Sequence, residues 1–101
     1  MLHHAVIFAS ERTEADGGYG DTVERMVALA NETPGFIGGK SVRDAEGLGL
    51  SVSYFRDLSA FARFQALSEH GGAQERGRRV WYARYTLRMA RVEHASGFVR
   101  A

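Results

Sequence analysis

An α+β fold of the order β-α-β-β-α-β, with four antiparallel strands and both helices on one face, is what this sequence predicts, on three observations. Its 101 residues suit one domain, spanning 1–101. The apolar runs Phe36 to Arg43 and Leu48 to Phe55 flank Asp44-Ala45-Glu46-Gly47 as the arms of a hairpin. On each side of that hairpin, a stretch of helical apolar period separates it from a terminal strand-like run.

Strand one is Leu2 to Ser10, where Val6-Ile7-Phe8 follow one another as in a strand buried on both faces. Asp21 and Glu24 have the spacing of a capping box, and Val23, Met26, Val27 and Ala30 form one stripe of the helix that follows. That helix ends before Pro34, because a residue preceding proline is pushed from helical angles. In the hairpin, Gly47 supplies the positive φ that the turn needs. Its second arm sets Leu48, Leu50, Val52 and Tyr54 on one face against Gly49, Ser51, Ser53 and Phe55 on the other.

Asp57 caps the second helix, which carries Ala60, Phe61, Phe64 and Leu67, and Ser68 starts a further helical piece running to about Arg79. Gly71, Gly72 and Gly77 weaken that piece by roughly 1 kcal/mol each. Val80 to Glu93, dense in aromatic and β-branched residues, is the last strand. This order is the ferredoxin-like one. Val6, Phe8 and Phe55 place large apolar groups on both sides of the sheet, and the face with Tyr82, Arg84, Thr86 and Arg88 is mixed, so a second copy is expected to cover the open face as a homodimer.

Thirteen basic and twelve acidic residues leave a net charge of +1, without a field for nucleic acid or an anionic membrane. The first fifty residues nevertheless hold eight acids and four bases, and the remainder four acids and nine bases. The densest basic group, Arg76, Arg78 and Arg79, reads as a helix terminus compensating its dipole. Cysteine is absent, which removes thiol catalysis, disulfides and thiolate metal sites. No run is long enough for a membrane span, and the start Met1-Leu2-His3-His4 is unlike a signal peptide, so a cytoplasmic protein is expected.

Catalytic templates mostly fail. The serines of Gly39-Lys40-Ser41 and Gly49-Leu50-Ser51 lie within strands, without the second glycine of a nucleophile elbow. Gly47-Leu48-Gly49 opens no helix and is no phosphate loop. Adjacent His3 and His4 point to opposite faces of a strand, while His70 and His94 lack a ligand at i+4, so no metal is expected. What survives is His70, Gln74 and Gly77 at i, i+4 and i+7, an imidazole and an amide on one helical face beside a gap. With Tyr54, Trp81 and Tyr85 from strands they make a small-molecule pocket; structurally, the same two side chains would satisfy backbone groups where helix meets sheet.

The segments Ala5-Val6-Ile7-Phe8, Pro34-Gly35-Phe36-Ile37, Leu50 to Asp57, Glu69 to Arg78 and Tyr85 to Val92 resemble antibiotic biosynthesis monooxygenase domains over nearly the whole chain. The resemblance implies a dimeric α/β barrel, two ferredoxin-like sheets facing each other with a cavity between helices and sheet in each subunit. It implies cofactor-independent oxidation of a small aromatic or quinol by dioxygen, with His70 as base or hydrogen-bond donor, Gln74 and Arg78 holding the oxyanion, and Phe64 joining the pocket. Haem-degrading relatives use an Asn on strand one, a Trp on the second helix and a His ten residues later. Here Phe64 and Gln74 stand at the latter two positions and strand one has no Asn, so no haem is expected. A non-catalytic or stress-related dimer that binds a small ligand is the alternative on the same fold.

Overall fold

The computed structural model describes residues 3–14, 18–70, 72 and 76–100. Its elements are β1 (His3–Arg12), α1 (Tyr19–Glu32), β2 (Phe36–Arg43), β3 (Leu48–Phe55), α2 (Leu58–His70), a π-helical turn over Gly77–Trp81, and β4 (Tyr82–Val92). The four strands form one antiparallel sheet in the order β2-β3-β1-β4. This is the expected ferredoxin-like topology.

Both arms of the hairpin have the expected bounds. Gly47 takes φ +95°, and Asp44 Oδ1 accepts from the amides of Glu46 and Leu48, closing the turn with a side chain. Asp57 caps α2 as expected, its Oδ1 accepting from the Ala60 amide at 2.8 Å. At the end of α1, Thr33 is extended just before Pro34.

Several expectations are corrected. No capping box forms at Asp21: α1 begins two residues earlier, after Gly18, without a side-chain cap. The buried stripe of α1 carries Thr22 and Ala30, and Val23 and Val27 are exposed, so the stripe is turned by about one residue from the one that hydropathy alone selects. On α2, Leu67 is exposed, and Ser68 starts no new helix; buried inside α2, its hydroxyl donates to the Phe64 carbonyl one turn back. The last strand begins at Tyr82, because the Thr13 amide and the Arg12 Nε both donate to the Trp81 carbonyl while the Thr13 hydroxyl donates to that of Val80. Those bonds draw Val80 and Trp81 into the π-helical turn.

Between Glu11 and Arg12 the pairing with β4 shifts, Glu11 facing Arg84 and Arg12 facing Tyr82. The bulge sends Tyr82 to the helix face, against Phe8, and leaves Arg84, Thr86 and Arg88 on the open face. Val6, Phe8 and Phe55 all lie on the helix face and do not divide between the two sides, since His4 pairs with Phe55 and strand faces alternate. Val6, Phe55, Ala60 and Phe61 are the core there, with Phe36 and Phe64 packed against it. The open face instead carries the apolar side of the hairpin: Val42, Leu48, Leu50 and Tyr54 are exposed, Val42 by 70%.

No helix among the described residues is long and apolar enough to cross a membrane. Among the same residues no group of His, Asp and Glu is gathered as a metal centre.

Candidate functional site

The helix face of β1 and β4 builds an aromatic wall. Phe8 meets the rings of Tyr82 and Tyr85 with centroids 5.3 and 5.2 Å apart, and Tyr82 and Tyr85 meet each other at 5.9 Å. Register produces this, because Phe8, Ser10 and Arg12 share one face and their β4 neighbours Leu87, Tyr85 and Tyr82 share it with them. Arg78, an exposed side chain of the π-helical turn, donates to the Tyr85 hydroxyl at 3.3 Å.

At the other end of the wall lies a polar cluster that no spacing in the sequence announced. Tyr19, the first residue of α1, makes edge contacts with the rings of Trp81 and Tyr82 at 5.6 and 5.9 Å. The Arg12 guanidinium lies 3.6 Å above the Tyr19 ring. Arg43 donates to the buried Ser10 hydroxyl at 2.8 Å and to the Tyr19 hydroxyl at 3.3 Å. Tyr82 donates to Tyr19 at 3.3 Å, and burial first, with that hydrogen bond second, holds the Tyr82 phenol above the usual tyrosine range.

Arg43 reaches this cluster because Gly49 stands opposite it. A Cβ at Gly49 would come within 2.5 Å of the Arg43 guanidinium carbon, so the guanidinium occupies the room a side chain would fill. The arm that reads as small and polar in the sequence is thus the floor on which an arginine lies.

Of the expected pocket residues, Trp81 is buried against Tyr19, Tyr85 is part of the wall, and Phe64 packs on the core ring of Phe55 at 5.8 Å. Tyr54 is not with them. It pairs with Ala5 whereas Tyr85 pairs with Ser10, residues of opposite faces, so Tyr54 stands on the open face with its ring against His3. The backbone of His70 closes α2, but its side chain and the whole of Gln74 lie outside the described residues. A shallow hollow of about 390 Å³ lies elsewhere, on the hairpin between Val42, Asp44, Leu48 and Leu50.

No family model matches the sequence. The chain is 48% identical over 91 residues to the uncharacterized protein YqjZ of Bacillus subtilis, a match covering 90% of this chain and 80% of that one. Among solved structures it resembles SnoaB, a cofactor-independent oxygenase from Streptomyces nogalater, with a TM-score of 0.67, 15% identity and 98% of both chains covered. A Nitrosomonas europaea protein provisionally described as an antibiotic biosynthesis monooxygenase superposes with a TM-score of 0.73 at 10% identity, over 95% of this chain and 94% of that one. PA3566 from Pseudomonas aeruginosa gives 0.71 at 15% identity, over 95% and 97%.

Proposed function

Because the chain belongs to the family of the Bacillus subtilis protein YqjZ and has the fold of the antibiotic biosynthesis monooxygenases, we propose that it is a cofactor-independent monooxygenase of small aromatic or quinol-type substrates. The observation that carries this reading is the wall of Phe8, Tyr82 and Tyr85, with hydrogen-bond donors at both of its ends. Flat rings stack on such a wall, and oxygens at their rims meet the donors.

An electron-rich ring needs no haem, flavin or metal for this chemistry. Once deprotonated, it passes an electron to dioxygen, and the radical pair joins at carbon. Loss of water from the resulting peroxide leaves a carbonyl. For an anthrone, one oxygen atom becomes the second quinone carbonyl and the other leaves as water with the two hydrogens of the oxidised carbon. The protein's part is to bind, orient and stabilise the anion away from bulk water. In this reading His70 takes the proton, Gln74 and Arg78 hold the oxyanion, and Phe64, Trp81 and Tyr85 line the pocket. Tyr54, on the other face, belongs to the surface between subunits.

The active species in this reading is a cytoplasmic homodimer with its open faces together. Support comes from the exposed Val42, Leu48, Leu50 and Tyr54, apolar groups that an isolated domain would leave in water. Sedimentation at micromolar concentration is expected to give twice the 11.2 kDa chain mass, and a lone monomer overturns the dimer.

Oxygen consumption with dihydroxynaphthalenes and anthrones tests the chemistry. We expect uptake above the uncatalysed rate for at least one substrate, with one atom of labelled dioxygen in the product. No stimulation across that panel overturns the oxygenase and leaves the ligand-binding dimer.

A further inference from the structure

The hydrogen bonds at Tyr19 leave one proton over. Its hydroxyl oxygen accepts from both Arg43 and Tyr82, so its own hydrogen must point elsewhere, and among the described residues nothing accepts it. A second unclaimed donor stands beside it. Trp81 is 2% exposed, its ring meets that of Tyr19, and its indole Nε1 has no hydrogen-bond partner among the described residues. A buried donor without an acceptor, as at Trp81, is uncommon because it forfeits its hydration, and the half-buried Tyr19 holds its spare proton beside it.

Two neighbouring donors without acceptors, at the end of an aromatic wall, suit a ring that brings its own acceptor. We propose that Tyr19 is the residue that selects the substrate's oxygen: its O–H donates to a phenolate or carbonyl oxygen on the ring stacked against Phe8 and Tyr82, so that rings carrying such an oxygen bind in preference to the bare hydrocarbon. The inference rests on the reading of this face as the substrate site. Arg43 and Tyr82 act through Tyr19, since donation to its oxygen polarises the O–H that faces the ligand. Arg12, stacked on the ring, holds it in place.

Menadione and 2-methylnaphthalene share a carbon skeleton and differ in the two carbonyl oxygens. Trp81 is the only tryptophan, so labelled full-length protein shows one indole N–H resonance, located at the site. Titrations followed by that resonance are expected to show tighter binding of menadione. Tyr19→Phe, which keeps the ring under Arg12 and against Trp81, should weaken menadione by up to about tenfold while leaving 2-methylnaphthalene unchanged. Tyr82→Phe, which removes one donor to the Tyr19 oxygen while keeping its ring on the wall, should lower the preference for menadione without abolishing it, and it tests the same coupling if Tyr19→Phe gives no folded spectrum.

Unchanged menadione affinity in Tyr19→Phe, equal losses for both ligands, a preference either unchanged or abolished by Tyr82→Phe, or no response in the parent protein would each overturn the inference. A Tyr19-dependent preference without oxygen uptake upholds it and removes the oxygenase reading. Oxygen uptake with Tyr19-independent binding does the reverse.

Discussion

Phe55→Ala is expected to destabilise the protein by about 3 to 5 kcal/mol, the range for truncating a buried phenylalanine. Phe55 is 1% exposed and its ring meets those of Phe36, Phe61 and Phe64, so one side chain ties β2 and β3 to α2. A domain with about 5 to 15 kcal/mol in total leaves little in reserve. At roughly 4 to 8 °C per kcal/mol the melting temperature should fall by roughly 12 to 40 °C. Phe98→Ala serves as the control, since that ring is 79% exposed and should change stability by less than about 0.5 kcal/mol. Urea denaturation of both variants checks the pair, and similar losses would show that the core is not where the rings place it.

Gly35→Ala is the second large effect. Gly35 takes φ +92°, a left-handed conformation costing an alanine about 1 to 2 kcal/mol, and its Cβ would stand 2.6 Å from that of Ala60. Overpacking adds about 1 to 3 kcal/mol. The Gly35 carbonyl also accepts from the Arg56 amide at 2.6 Å, joining the start of β2 to the end of β3, so the backbone has little room to yield. Adding Ala60→Gly removes the clash without relieving the dihedral. The double variant should therefore lose less than the single variants together, a coupling that a cycle of urea denaturations measures directly.

What the sequence disclosed follows the physics of each signal. The hairpin was legible to the residue because strand period, turn chemistry and Asp44 all act locally, and the Asp57 cap was legible for the same reason. Which face of a strand meets the helices is set at long range. Tyr82, Arg84, Thr86 and Arg88 alternate as one face on paper, but the bulge at Glu11 and Arg12 separates Tyr82 from the other three. Tyr54 belongs to the well-patterned apolar arm of the hairpin, and that arm faces away from the helices.

The candidate site was legible only in part. Trp81 and Tyr85 stood out as aromatic residues of the last strand-like run, whereas Tyr19 begins α1 inside a glycine-rich stretch with no period to mark it. Arg12 and Arg43 lie near strand ends, positions where charged residues ordinarily face water, and only tertiary pairing turns them inward onto Tyr19.

The guanidinium lying over Gly49 ties the backbone of β3 to the cluster at Tyr19. Gly49 has no positive φ to require it, so backbone freedom does not explain the residue; the arginine across the ladder does. Even an alanine at 49 must push the Arg43 guanidinium aside, and that shift falls on its bonds to Ser10 and Tyr19. Positions 43 and 49 are therefore mechanically coupled: bulk added at one is felt as a donor displaced from Tyr19 at the other.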